Sequence, residues 1–413
     1  MFFKKAYIPY GGYWSTPFCR WQGSLAHLNA VTFAAEVTMH ALGERDISPK
    51  VFDSVFLGLT VPQKHSFYGG PWLAGLIGAE TTTGPIFSQA CATGARVVGS
   101  AAAEVELSGS ASLTTSGDHV ILAVTADRCS NGPHIYYPNP LGPGGTGDKE
   151  DWVWDNFSHD PFAKNAMIGT AENVAKEAGI SREEQDEMTI LRYEQYGDAL
   201  DDDAAFLRRY MVIPYEVKDA RGRKVLATID GDEGVFPTTA KGLAKLRPVI
   251  KEGTVTFGTQ THPADGNCGM IVTTREKARE LSGNSQVEIQ VLSYGEGRAK
   301  KGYMAKAIVP AAQQALSQAG ISIKDVRVIK THNPFAVNDI YFCREMGVKP
   351  EAMNNYGSSL VWGHPQGPTG QRLIIEVIEE LVLAGGGYGL FVGCAAGDTG
   401  AGVVLSVSNG GTL

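Results

Sequence analysis

The 413-residue chain has no Cys-x-x-Cys pair, no long apolar run and no surplus of basic residues. Each absence excludes a class of protein. The six cysteines, at 19, 91, 129, 268, 343 and 394, are too widely and irregularly spaced for a disulfide framework or a Cys-based zinc site. They are expected to be reduced thiols, and no metal site is expected in this chain. Without about 18 consecutive apolar residues, nothing is expected to span a membrane. The opening MFFKKAYIPYGGYW reaches Gly and Tyr before a signal core can form, so a cytoplasmic protein is the expectation. The 36 Lys and Arg against 44 Asp and Glu leave a net charge of −8. Neither nucleic acid nor an anionic membrane is therefore expected as the main partner.

What is present is a hydrophobic share of 43%, enough for a large core in two domain-sized units or one duplicated unit. Glycine is in excess: 50 of 413 residues, roughly 12% against a usual value of about 7%. No Gly-X-Y period runs through the chain. The glycines cluster beside apolar runs, as they do where backbone turns tightly or approaches a ligand.

Short apolar segments alternate with amphipathic ones, which predicts an α/β fold. Helices are expected over Ala26–Leu42, Thr93–Leu107, Ala163–Ala178, Arg182–Leu200, Val309–Ala319 and Gly370–Leu383. Strands are expected over Ser54–Leu59, Val120–Ala126, Val287–Tyr294, Arg327–Thr331 and Gly389–Cys394. An internal repeat supports duplication. Gly94, Arg96, Glu104, Leu107 and Gly109 recur at the same offsets as Gly370, Arg372, Glu380, Leu383 and Gly385. From about Cys129 to Leu243 the pattern changes to Pro-rich turns, clustered aromatics and a charged helix ending at Asp201–Asp203, which reads as a solvated helix end. So long an insertion between α/β segments is usually a lid or a binding domain.

Four segments hold candidate chemistry. Cys91, in PIFSQACATGARVVGS, falls where an apolar segment meets a small-residue helix. Backbone N–H groups there favour thiolate and lower the thiol pKa; a buried inert thiol is the alternative. His364, in VWGHPQGPTGQR, is fixed between Gly363 and Pro365 and is placed to act as a general base or to fill a structural role. Cys394, in LFVGCAAGDTGAG, lies among small residues whose N–H groups suit an oxyanion, or is a core thiol at a strand end. In KTHNPFAVND, His332 and Asn333 follow a strand and emerge at its C-terminal end, while Asn338-Asp339 are expected to cap the next helix.

Taken together, SQACATGA, GHPQGPTGQR and CAAGDTGAG resemble the nucleophile, histidine and second-cysteine motifs of the thiolase superfamily, and the resemblance runs along nearly the whole chain. MIGTAENVAKEAGISREEQDE at Met167–Glu187, LAKLRPVIKEGTVTFG at Leu243–Gly258 and THPADG at Thr261–Gly266 extend it. The resemblance implies a five-layer αβαβα fold of two duplicated halves with a loop or lid insertion. Its halves would be 1–128 with 244–275, and 276–413, and 129–243 would cover coenzyme A (CoA). It also implies an acyltransferase that cleaves a 3-oxoacyl-CoA with CoA, or runs the reverse Claisen condensation. Cys91 would be the nucleophile, His364 its base, Cys394 the second acid and base, and His332 an oxyanion partner. The Cys91 and Ala396 N–H groups would form an oxyanion hole. Met167 and Thr261 would contact CoA, which serves as a substrate; no permanently bound cofactor is implied. A homodimer is implied, and the similarity is strongest to bacterial thiolases that work with a small zinc-ribbon/OB-fold subunit, which would carry any zinc.

Departures from the family pattern bear on the substrate. His332-Asn333-Pro334-Phe335 stands where Asn-Glu-Ala-Phe is usual, Cys394-Ala395-Ala396 replaces Cys-x-Gly, and Ala166 stands where a His often precedes the methionine. Six aromatics, Tyr136, Tyr137, Trp152, Trp154, Phe157 and Phe162, crowd the insertion and suit either a mini-core or a pocket for a bulky acyl group. Three other functions remain open at this stage. A ketoacyl synthase-like condensing enzyme would need only Cys91, His332 and His364. A Cys hydrolase would use Cys91, His332 and Asn333. A non-catalytic CoA-binding subunit would use none of them.

Overall fold

Two mixed β-sheets face each other across a pair of buried helices. The computed structural model describes residues 1–108, 119–219 and 221–410. In the first sheet the strands are ordered Tyr13–Ser15, Ala264–Val272, Ile121–Arg128, Ser54–Gly58 and Ile86–Phe87. In the second the order is Tyr7–Ile8, Val287–Arg298, Thr399–Asn409, Gly386–Ala395 and Val326–His332. Both sheets are parallel toward one edge and antiparallel toward the other. Ala264–Val272 is buried at every residue, as befits a strand covered on both faces.

The helices between the sheets are Thr93–Leu107 and Gly367–Leu383, the two arms of the repeat. A Cβ on Gly94 would lie 2.5 Å from the Gln371 nitrogen and 2.6 Å from the Gly367 oxygen. Only glycine lets these two backbones meet so closely. Gly109 of the repeat lies outside the described residues. Helices Ala30–Gly43 and Gly69–Leu76 cover the outer face of the first sheet, and Ile308–Ala319 covers that of the second. One hydrophobic core fills the space between the sheets and one lies under each outer helical layer. The expected five-layer arrangement of two duplicated halves is the one observed.

Helix starts differ from expectation where side chains intervene. The first helix begins at Ala30, because the Asn29 side chain accepts from the Val31 and Thr32 N–H groups. The helix expected from Ala163 begins at Met167, because Asp160 captures the N–H groups of Phe162 and Ala163 in a turn. Thr93–Leu107 has the expected bounds.

Between Ile121–Arg128 and its antiparallel neighbour Ala264–Val272, the chain makes a long excursion. It contains two hairpins and the helices Met167–Ala178 and Arg182–Ala204. The second helix starts with a reciprocal Ser181–Glu184 capping box and ends in exposed Asp201–Asp203. The excursion is tied back to the central layer by Asp232, which accepts from both terminal nitrogens of buried Arg372 at 2.6 and 2.8 Å. This fixed seat lets the excursion wall a cavity.

Candidate active site

Cys91 and His364 sit just before the N-termini of the two central helices, on segments forced to turn. His332 ends the strand Val326–His332, and its register partner in the neighbouring parallel strand is Gly393, beside Cys394. Four chemical groups therefore converge at helix N-termini and at the C-terminal ends of parallel strands, where α/β sheets hold ligands. Three non-glycine residues with positive φ lie in the turns: Ala90 at 44°, Gln366 at 65° and Asp398 at 59°. Backbone strain of this kind concentrates at functional sites.

The His332 and His364 rings stack with centroids 4.1 Å apart. His364 Nδ1 lies 2.6 Å from Thr369 Oγ1, and His332 Nδ1 lies 2.8 Å from Ser359 Oγ. Both Nε2 atoms are buried without a hydrogen-bond partner. Burial pushes the His364 pKa down to about 3, with the Gln366 side chain partly offsetting it. Burial and the neighbouring His364 hold His332 well below the usual histidine range. Both rings are thus neutral near pH 7 and available to exchange protons.

The thiols behave differently from expectation. Helix-start N–H groups were to lower the Cys91 pKa, but burial pushes it up to about 11. The N–H groups of Ala396 and of Cys91 itself aim at the sulfur and offset only part of the desolvation. Cys91 Sγ rests 3.3 Å from Gln366 Oε1. Burial, then the nearby Cys91, also raise the Cys394 thiol, whose sulfur lies 3.2 Å from Asn338 Nδ2. A proton must therefore leave Cys91 as bond formation develops, not beforehand.

Asn338 and Asp339 do not cap the helix Ala336–Met346. They lie inside it, and the cap position is Phe335. Their side chains serve the site because the helix packs under the strand ends. Buried Asp339 accepts from Arg192 at 2.8 Å, Thr331 at 2.5 Å, Asn333 at 2.7 Å and Asn354 at 3.1 Å. This carboxylate supplies the local negative charge, which explains a neutral Asn333 beside it. Asn333 in turn holds the segment at 358–360: its Oδ1 accepts from Ser359 Oγ and the Leu360 N–H, and its Nδ2 donates to Ser358 Oγ.

Above these groups lies a cavity of about 640 Å³. Cys91, His364, Gln366 and Ala396 form its floor, with Met167 and Thr261 in its wall. The insertion aromatics divide. Trp152, Trp154 and Phe157 line the cavity, and the first and last also pack on the small core of Val61, Cys129 and Val153. Tyr136 and Tyr137 lie exposed on a hairpin, and Phe162 lies exposed near Arg298 and Lys301. No Lys, Arg, Asp or Glu lines the cavity among the described residues.

Cys91 Sγ and a ring nitrogen from each of His332 and His364 lie within 4.8 Å of one another, a donor set suited to a soft metal as well as to covalent catalysis. The site also depends on Gln366, Thr369, Ser359, Asn338 and Asp127, none assigned a role in the site from the sequence. Gln366 and Thr369 lie inside the histidine motif, so their polar character was a usable signal. No helix among the described residues is long and apolar enough to cross a membrane, and all six cysteines are free.

Comparison with known proteins agrees with this geometry. The family model for the thiolase N-terminal domain matches residues 13–276, and that for the thiolase C-terminal domain matches residues 286–407. The chain is 29% identical over 403 residues to the mitochondrial 3-ketoacyl-CoA thiolase of Rattus norvegicus, covering 95% of this chain and 96% of that protein. It is 27% identical over 376 residues to a probable acetyl-CoA acyltransferase of Staphylococcus aureus, covering 89% and 90%. The human mitochondrial 3-ketoacyl-CoA thiolase structure superposes with a TM-score of 0.86 at 25% identity, over 98% of this chain and 99% of that one. The Bacillus anthracis acetyl-CoA acetyltransferase superposes at 0.87, also with 25% identity, over 98% and 99%. The chain belongs to the thiolase family and is an acyltransferase.

Proposed function

We propose that the protein cleaves a 3-oxoacyl-CoA with CoA through an acyl-Cys91 intermediate, and that its substrate is benzoylsuccinyl-CoA, giving benzoyl-CoA and succinyl-CoA. The observation that carries the reaction is the meeting of Cys91, His332, His364 and Cys394 beneath one cavity. The aromatic wall of Trp152, Trp154, Phe157, Phe257 and Phe335 supports an aromatic acyl group.

Thr369 accepting from the Nδ1–H of His364 leaves Nε2 as a base. That base takes the Cys91 proton as sulfur attacks the 3-keto carbon. The Ser359 hydroxyl gives its one hydrogen to Asn333 Oδ1, so its oxygen accepts from His332 Nδ1–H and fixes that ring beside the developing oxyanion. The carbon–carbon bond breaks with its electron pair on the departing acyl-CoA, and the Cys394 S–H protonates that carbanion. Cys394 then removes the proton of an incoming CoA thiol, whose sulfur displaces the acyl group from Cys91. The N–H groups of Cys91 and Ala396 hold the thioester oxyanion in this second half. Residues 129–243 act as the domain over CoA, with Met167 and Thr261 touching it.

A homodimer fits the edge position of Ile86–Phe87 and the exposed Phe67, Tyr68 and Ile86 nearby. A small zinc-ribbon/OB-fold subunit is the proposed second partner, with zinc in that chain, and the cytoplasm the proposed compartment. The test is thiolytic turnover on a panel of 3-oxoacyl-CoAs including the aromatic, branched one, with and without a small subunit encoded alongside. Intact mass should show an acyl group on Cys91, lost in Cys91→Ser. Turnover without that adduct would overturn the mechanism, and turnover restricted to short linear substrates would overturn the substrate. Condensation is the second reading. Cys394→Ala should cripple thiolysis but spare a ketoacyl synthase-like enzyme.

A further inference from the structure

One polar side chain on the cavity floor has no part in the scheme above. Gln366 is 7% exposed, and its Oε1 lies 3.3 Å from Cys91 Sγ, in position to accept the thiol hydrogen. The same carboxamide faces the His364 ring. It therefore contacts the nucleophile and borders the base that must deprotonate it. The backbone of Gln366 is at φ 65° and ψ −105°, a region that glycine tolerates and a side chain does not favour. The strain is held from behind. Asp127, buried at the end of the strand Ile121–Arg128, accepts from the N–H of Gly367 at 2.9 Å and from the N–H groups of Thr60 and Val61 at 2.8 Å each. A residue kept in such a conformation by so much surrounding structure implies that its side chain is needed there.

We propose that Gln366 is a gate on the nucleophile. In the resting enzyme its carboxamide oxygen holds the Cys91 thiol hydrogen and keeps that proton from His364 Nε2. An entering acyl-CoA displaces the side chain, and only then does the proton pass from sulfur to imidazole. The device keeps a partly exposed thiol from reacting with stray electrophiles while the cavity is empty. It also imposes a cost on binding, since only the open fraction of the enzyme accepts substrate. The inference rests on Cys91 being the nucleophile.

The test compares wild type with Gln366→Leu and Gln366→Gly. Cys91 alkylation by iodoacetamide is followed by peptide mass over a range of pH, and KM for the 3-oxoacyl-CoA is measured alongside. Losing one hydrogen bond should speed alkylation by about three- to tenfold. KM should fall by a matching factor, because both quantities report the open fraction. Gln366→Gly should in addition raise the melting temperature by relieving the backbone, and it keeps the test readable if the leucine variant folds poorly. An unchanged alkylation rate in both variants, or faster alkylation with KM unchanged or raised, overturns the gate. Alkylation needs no turnover, so this failure is separable from that of the thiolase scheme, which would show as a missing acyl-Cys91 adduct in wild type.

Discussion

His332 and His364 stack ring on ring, 4.1 Å between centroids and 30° between planes, with neither Nε2 paired. Two imidazolium ions cannot share that contact, and burial enforces neutrality on both. The pH response follows. With His364 pushed down to about 3 and Cys91 up to about 11, kcat/KM should be flat through the pH range where free histidine titrates. A steady-state profile from pH 5 to 9 checks this, and an inflection near 6.5 would contradict it.

Stability should follow the same groups. His364 has a folded pKa of about 3 against an ordinary value of 6.5, so below the latter the unfolded chain binds the extra proton. Its contribution is present above about pH 6.5 and is lost as pH falls toward 3. Asp127, pushed up to about 7 by burial, acts oppositely: between its ordinary value of 3.8 and about 7 the folded state holds the extra proton. Melting temperatures across that range should fall less steeply on acidification in His364→Asn, and more steeply in Asp127→Asn.

Asn338 is placed to control the second thiol. Its Nδ2 lies 3.2 Å from Cys394 Sγ while its Oδ1 is buried without a partner. In Asn338→Leu the Cys394 thiol should lose its orientation toward the carbanion. Thiolysis should fall by at least about tenfold, and exchange of the substrate α-proton in deuterated water should slow in parallel. Acylation of Cys91 by a simple acyl-CoA should persist. Equal losses in both reactions would mean that Asn338 only supports the fold.

Asn338 also shows what the sequence made legible. The α/β alternation and the repeat could be read locally from periodicity and spacing, whereas the layer order and the roles expected of Cys91, His332, His364 and Cys394 came through the family resemblance of their motifs. The supporting shell could not be read locally. Asn338 meets Cys394 across 56 residues, and His332 meets Ser359 across 27. Such pairings depend on which strand ends become neighbours, and a polar residue after Phe335 looks equally like a helix cap. The Cys91 pKa departs from the sequence expectation for a related reason: helix-end N–H groups are visible in sequence, whereas the desolvation that outweighs them is not.

The aromatic wall should set acyl selectivity. Trp154 lines the cavity and packs against Trp21 at 5.0 Å. Trp154→Ala removes a large apolar face without touching the four reactive groups. KM for the aromatic substrate should rise roughly five- to thirtyfold, with a much smaller change for acetoacetyl-CoA. A uniform rise across both substrates would assign Trp154 to CoA and not to the acyl group.

Arg192 and Asp339 form a salt bridge with both side chains wholly buried, at 2.8 Å. Asp339→Asn leaves the guanidinium without its counter-charge, a change that costs about 3–5 kcal/mol where a buried pair is broken. The same substitution loosens Asn333, which accepts from Ser359 and so fixes the residue beside His332 Nδ1. Denaturant unfolding should show the loss, and kcat should fall even at temperatures where the variant is fully folded. Replacing both partners, Arg192→Met with Asp339→Leu, should restore much of the stability but not the rate, since the anchor for Asn333 is still missing. Recovery of both together would mean that the pair acts on activity only through the fold.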